Sequence, residues 1–349
     1  MFNRITNKEI IELNRVLSLL LIARIPIISA LELIARQTQN SKLKDLLKGI
    51  EKNLKAGNSL SKSFSKHPDI FSDIYISNLK IGEETGNIAD VLTQYTDYQE
   101  KFFLLKKKIS QASRYPVFIL LVSISVIAFM MFFLIPTFES LFKSVKAKLP
   151  PVTEVLLSTS NFFLENSITV LITFMILFVI IRIASRSNYI KINFTDKFII
   201  HLPYISDLFV KNLLARFSLS MSVLLKNGIS LLEALKISKN ISTNSVFRNE
   251  ITSLVKKMIR GESMASNIGN SIFFDMTFTR LLAAGEESAE LGKVFYLISD
   301  YYSKEFDYRL ENIMSLAEPI LILFIGSIVA VILIAMYLPM FEIINYVGV

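Results

Sequence analysis

The spacing of apolar positions divides the chain into amphipathic stretches and long uncharged ones. Ile10, Leu13, Leu17, Leu20 and Leu21 recur at three- and four-residue intervals, the spacing of one helix face. Just before them, Thr6-Asn7-Lys8-Glu9 suits a capping box, the Thr hydroxyl and Glu carboxylate taking up unpaired backbone donors. Leu17 to Ile22 is apolar nearly all round, yet six residues are far short of a bilayer crossing and predict core. Pro26 interrupts the pattern, and helices are predicted through Ala30, Leu31, Leu33 and Ile34, then through Leu43, Leu46, Leu47, Ile50 and Leu54, with Gly57 as the stop. A short helix over 59–65, a loop at His67-Pro68-Asp69 and a helix from Ile70 to Ile81 ending at Gly82 follow. Between Gly86 and Arg114 neither Pro nor Gly intervenes, and Ile88, Val91, Leu92, Tyr95 and Tyr98 keep one apolar face. No stretch alternates with the period of a strand, so the domain is helical.

The uncharged stretches have the length of membrane spans. Lys106-Lys107-Lys108 and Arg114 precede Pro116, and Val117 to Ile135 carries no charge, a first span over 116–136 with Pro116 in a first-turn position. Ile168 to Ile181, extended by its flanks to 167–184 and followed by Arg182 and Arg186, is read as a second span, and 319–341 as a third. Basic residues crowd the entry to the first, the exit of the second and the approach to the third. The positive-inside rule therefore places the polar domains 1–114 and 187–317 in the cytoplasm, the latter including a connector. It leaves 139–166 as an extracytoplasmic loop and 342–349 as an extracytoplasmic tail. The first residues lack a signal-peptide core and are expected to stay in the cytoplasm.

The two halves are copies. Gly82-Glu83-Glu84-Thr85-Gly86 recurs as Gly285-Glu286-Glu287-Ser288-Ala289, Pro116 as Pro319 and Pro136 as Pro339, each pair 203 positions apart. Upstream the offset is 204, as in Gly57 and Gly261 or Leu31 and Leu235, and the change falls between Phe64 and Phe71, where a loop absorbs it. Residues 213–235 repeat the first helix pair, with Asn227-Gly228 at the turn where the first copy has Ala23-Arg24. Residues 246–260 repeat the third helix, with Ile251, Leu254, Val255 and Met258 on its apolar face.

Composition agrees with a chain part in membrane and part in water: 52% hydrophobic residues beside 19% charged ones. The net charge of +8 is explained by basic residues held on the cytoplasmic side rather than by nucleic acid. With no Cys, and His67 and His201 far apart, neither thiol chemistry nor a metal-ligand spacing exists. No phosphate-binding loop occurs, since Gly57-Asn58-Ser59-Leu60-Ser61-Lys62 lacks the second Gly, and no nucleophile–base set can be assembled. The expectation is a protein that is not an enzyme and has no catalytic residue, cofactor or metal. Glu83-Glu84 and Glu286-Glu287 admit two readings. Adjacent carboxylates attract a cation or a basic partner surface, or they satisfy free backbone N–H groups at a helix N-terminus. Glu318, whose counterpart is Tyr115, either pairs with a Lys or Arg of another helix or stays hydrated at the span's edge.

The duplicated helix pair, the Gly-Glu-Glu-Thr/Ser turn, Tyr115-Pro116 and Glu318-Pro319 opening spans, and Pro136-Thr137-Phe138 and Pro339-Met340-Phe341 closing them resemble the type II secretion F-domain family. These are the inner-membrane platform proteins of type II secretion systems and type IV pilus machines. The resemblance implies an all-α membrane protein with two six-helix cytoplasmic bundles and three transmembrane helices. It also implies self-association in the cell inner membrane, engagement of a cytoplasmic assembly ATPase, movement of pilin or pseudopilin subunits, and contacts with other inner-membrane assembly proteins. Gly82, Glu83, Glu84, Gly285, Glu286 and Glu287 are the candidate contact or turn residues, and Pro116, Pro136, Glu318, Pro319 and Pro339 the span boundaries. The competing class is a three-span receptor or an oligomeric small-molecule transporter.

Overall fold

The computed structural model describes residues 5–145, 149–169, 172–173, 175–176, 205–242, 244–269 and 271–347, and among them there is no β-strand. The chain divides into two compact units, Met1–Lys108 with Thr195–Tyr308 and Ile109–Phe194 with Arg309–Val349. Most of the expected second span, 167–184, and the connector between it and 205 lie outside the described residues.

In the first unit, copy one supplies α1 (Asn7–Ile22), α2 (Ile27–Gln37), α3 (Ser41–Lys55), α4 (Leu60–Phe64), α5 (Asp73–Thr85) and α6 (Ile88–Ala112). Each start has a local chemical cause. Thr6 and Glu9 form the expected capping box on α1, and the side chains of Asn40, Ser59 and Ser72 accept first-turn amides of α3, α4 and α5. Copy two answers with α10 (Ile205–Lys226), α11 (Leu231–Ser238), α12 (Ser245–Ile259), α13 (Met264–Ile268), α14 (Met276–Glu287) and the start of α15 (Leu291–Val347), α9 being described below. Its caps Asn244, Ser263 and Asp275 stand at the repeat positions of Asn40, Ser59 and Ser72. Six helices per copy bury Leu17, Leu31, Leu47, Phe64, Tyr75 and Leu79 in one core, and Phe217, Leu235, Phe247, Phe278, Phe295 and Phe306 in the other.

The second unit contains α7 (Arg114–Phe129), a π-helical turn (Met130–Leu134), α8 (Ile135–Val145), α9 (Pro151–Glu165) and the remainder of α15. Three helical stretches of the described residues are long and apolar enough to cross a membrane. Two of them, Ile88–Lys143 and Leu291–Phe341, contain the expected first and third spans. The third, α10, has 61% of its apolar window buried within the structure, and Phe217, Met221 and Leu224 are among its core side chains. Its apolar length belongs to a bundle interior.

One expectation about local structure is corrected, and three further features of the helices are added to the picture. Gly82 does not end α5, which runs to Thr85 and stops at Gly86 in the left-handed conformation, φ 70°. Pro136, Pro319 and Pro339 end no helix: the chain continues through Pro136 as α8, and α15 passes both of its prolines in 57 residues. The region 139–166 is mostly helix, formed by the end of α8 and by α9. The tail at 342–349 continues α15 as far as Val347, because no Gly or Pro intervenes before Gly348.

Candidate functional site

The repeated Gly-Glu-Glu turn is the last turn of α5 and of α14, so its carboxylates lie at a helix C-terminus, where the macrodipole disfavours them. Their use is long-range. The Glu83 carboxylate accepts from the backbone N–H of Leu60, from the N–H of Ser61 at 3.0 Å and from the Ser61 hydroxyl at 2.6 Å. Glu286 does the same for α13, accepting from the N–H of Met264 at 2.8 Å and of Ala265 at 3.2 Å. Free donors at a helix start are met by a carboxylate twenty-odd residues later in the chain, in both copies. Neither Glu belongs to the helix it caps. Glu84 and Glu287 are exposed, and Glu84 lies 3.9 Å from Lys80.

The glycine ahead of each pair has a packing reason. A Cβ on Gly285 would lie 2.9 Å from the Val294 side chain, and one on Gly82 would lie 3.1 Å from the Ile88 Cα. Both glycines are buried, and they let the helix ending in the Glu pair close onto the start of the next one.

The two copies touch along α5, α6, α10 and the start of α15. Asn227 donates to Asn78 at 2.5 Å and Asn240 to Asp73 at 3.2 Å. The Tyr296 ring receives two ammonium groups, Lys101 at 4.3 Å and Lys226 at 4.6 Å, and the Arg216 guanidinium lies 4.0 Å over Phe102. Beside Arg216 is a cleft of about 440 Å³ walled by Ile10, Tyr95, Tyr98, Phe102 and Ile237. Arg216 donates to the Ile241 carbonyl at 3.1 Å, and burial holds its guanidinium below the usual arginine range.

Among the boundary residues, Tyr115 and Glu318 are repeat counterparts, and they bond each other: the Tyr115 hydroxyl donates to Glu318 at 2.8 Å. Pro116 stands in the first turn of α7, where a missing N–H is harmless. Pro136 and Pro339 sit inside helical runs and each deprives a carbonyl of its donor. In the π-helical turn the Ile135 N–H reaches back to the Met130 carbonyl, so the next carbonyl, of Met131, falls to Pro136. The Ser160 hydroxyl supplies it at 2.7 Å. In α15 the Ala335 carbonyl falls to Pro339, and the Thr153 hydroxyl supplies that one. Both donors come from α9. Sequence reading singled out the prolines and missed Thr153 and Ser160, whose only local signal is their spacing of seven residues on one helix face.

Among the described residues no group of His, Cys, Asp or Glu is arranged to hold a metal. The geometry offers partly buried caps, helix contacts and exposed carboxylates. A family model for type II secretion system (T2SS), protein F, matches the chain twice, over residues 14–136 and 217–339. Among curated proteins, the chain is 28% identical over 327 residues to the type IV pilus assembly protein PilC of Pseudomonas aeruginosa, covering 93% of this chain and 87% of that protein. It is 28% identical over 347 residues to the type IV pilus assembly protein TapC of Aeromonas hydrophila, covering 99% and 84%. It is 25% identical over 341 residues to the type II secretion system protein F of P. aeruginosa, covering 98% and 84%.

Proposed function

Since the chain belongs to the type II secretion system protein F family, we propose that it is the inner-membrane platform of a type IV pilus or type II secretion machine. In this reading it couples a cytoplasmic assembly ATPase to the insertion of pilin-like subunits into a filament. The observation that carries the proposal is the double family match over a duplicated helical frame, each copy ending in a long helix that continues into an apolar stretch. Family membership favours a platform over a receptor or transporter. The basic residues flanking the apolar stretches support cytoplasmic bundles and an extracytoplasmic C-terminus.

Glu84 and Glu287 are the residues of the repeated turn free to meet a partner, because Glu83 and Glu286 are occupied as caps. Two exposed carboxylates at repeat-related positions suit a basic surface on an oligomeric partner, whose contribution is steering and register. The test is the double variant Glu84→Ala/Glu287→Ala in cells, read by surface filament yield and by the ATPase and pilin-like subunits that crosslink to the tagged chain. The expected result is normal membrane level with filament yield reduced at least about tenfold and ATPase capture lowered, as for a rim charge pair worth ~1 to 2 kcal/mol. Unchanged assembly and capture would remove the two residues from the contact. Capture of neither an ATPase nor a pilin-like subunit by the unaltered chain would remove the platform reading itself.

A further inference from the structure

The helix α9, in the region that charge counting places in an aqueous loop, carries three chemically distinct strips. Thr153, Leu157 and Ser160 are buried. Leu157 packs with Met130, Ile135, Ile332 and Met336, while the two hydroxyls hold the carbonyls that Pro339 and Pro136 leave without donors. At 100° per residue, Glu154, Ser158, Asn161 and Glu165 share a second strip. A third strip, Val152, Val155, Phe162 and Phe163, is apolar and exposed, Val155 by 66% and Phe162 by 57%.

The depth of α9 follows from what it touches. Met131 and Ala335 differ by 204 positions, within one residue of the 203 that relates the two copies, so α9 meets the first and third spans at the same level. Met131 is five residues short of Pro136 and Ala335 four short of Pro339, which at ~1.5 Å per residue is about 6 to 8 Å inside the prolines. A helix crossing two parallel spans at one depth lies in the plane of the membrane. Its polar strip then faces water and its free apolar strip faces sideways, joined through a groove to exposed Val331 of the third span. Under α9, Pro151, Val152, Val155, Leu156, Thr159, Val331 and Ala335 line an almost wholly apolar groove of about 380 Å³. The Thr159 hydroxyl donates to the Val155 carbonyl at 2.7 Å and requires no water.

We propose that α9 is an interfacial membrane helix whose Val152–Val155–Phe162–Phe163 strip and adjoining groove are covered by phospholipid acyl chains, at the ends of the spans opposite the Lys106-Lys107-Lys108 cluster and Arg309. The inference rests on the spans alone and is independent of the identity of the secretion machine. It makes the prolines and α9 one device: a helix in the membrane plane that supplies the donors missing from two proline-containing spans in a medium without water.

The chain has no Cys, so single cysteines can be placed at will in the full-length protein. Val155→Cys and Phe162→Cys sample the apolar strip and Ser158→Cys the polar one, each at a solvent-accessible position where the fold is tolerant. Each is labelled with bimane in proteoliposomes and titrated with acrylamide in water and with phospholipids brominated on the acyl chain. The expected result is acrylamide quenching at 155 and 162 about fivefold below that at 158, with strong quenching there by the brominated lipid, as for an apolar face sunk below the headgroups. Acrylamide quenching equal at all three positions would overturn the proposal in favour of a hydrated loop. Protection of 155 and 162 from both quenchers would overturn it in favour of a protein partner, a second copy included.

Discussion

The two bundles share a frame and differ in what fills it. At repeat-equivalent positions copy one has Ser72, Asn14, Tyr75 and Gln99 where copy two has Asp275, Ser218, Phe278 and Tyr302. In copy one these side chains form partly buried polar links: the Tyr75 hydroxyl donates to Asn14 at 3.0 Å, Asn14 donates to Gln99 at 2.7 Å, and Ser72 and Tyr95 share a bond at 3.2 Å. Burial pushes the Tyr95 hydroxyl up to about 12, so it is uncharged at neutral pH. Copy two replaces these links with packed rings, Phe217, Phe247, Phe274, Phe278 and Phe295, and a single charged anchor at Asp275. What the copies keep in common is backbone geometry: the cap positions, the close-approach glycines, the capping Glu and the span prolines. Core chemistry drifted while the frame stayed, because many packings satisfy one set of helix positions and few residues satisfy a helix end.

The largest effect should follow from removing the shared cap, and it should be unequal. Glu83→Ala strands three donors and Glu286→Ala two. The expected losses are about 3 and about 2 kcal/mol, by denaturant unfolding of the full-length chain in detergent, since hydrogen bonds to charged groups are worth ~1.5 to 3 kcal/mol. Gln at either position, which keeps an acceptor oxygen, should restore about half. A loss no greater than that of Glu84→Ala would refute the common cap.

Asp275 distinguishes the copies by pH. Burial alone would raise its carboxyl, but the Tyr302 hydroxyl, the Phe278 N–H and Lys211 together hold it below the ordinary aspartate range. A folded-state pKa below the unfolded one gives stability that is complete above the unfolded value, about 3.9, and is lost as pH falls through the folded value. Ser72 does not titrate. Acidification below pH ~4 should therefore raise amide exchange in α14 more than in α5, and Asp275→Asn should cost about 1 kcal/mol at neutral pH, a figure reduced for the partial exposure of the carboxylate, while flattening that acid dependence. Equal acid sensitivity in the Asn variant would place the effect elsewhere. Glu250, which burial shifts upward, contributes with the opposite sign and is untouched by the substitution.

The comparison also shows why some features could be read from the chain and others not. The fixed 203 offset, the Thr6–Glu9 box and the stop at Gly57, φ 85°, are local or periodic and were legible. Gly82 and Gly86 stand four residues apart, and nothing local says that the first serves packing and the second conformation. The assignment of the helix end to Gly82 failed on that ambiguity. The acceptor role of Glu83 toward Leu60 and Ser61 requires α4 and α5 to be brought together, which no pattern along the chain encodes. The positive-inside rule sets 139–166 on one side of the membrane from the flanks of the spans, and no such count reveals that within it Glu154 and Glu165 share one strip of a helix, α9.

The smallest effect concerns two positions where one copy has lost a glycine that the other retains. Gly228 at φ 87° is answered by Arg24 at φ 61°, and Gly86 at φ 70° by Ala289 at φ 55°. An L-residue in this left-handed region costs ~1 to 2 kcal/mol, and the extra freedom glycine has when unfolded returns ~0.4 to 1 of that. Arg24→Gly and Ala289→Gly should each stabilise the chain by about 0.5 to 1 kcal/mol, additively because they lie in different copies, and Gly86→Ala should destabilise by a similar amount. The unfolding midpoint of the double variant measures this directly. Should Ala289→Gly instead destabilise, the Ala would have a packing role that its exposed position does not suggest, and the copies would differ in frame as well as in core.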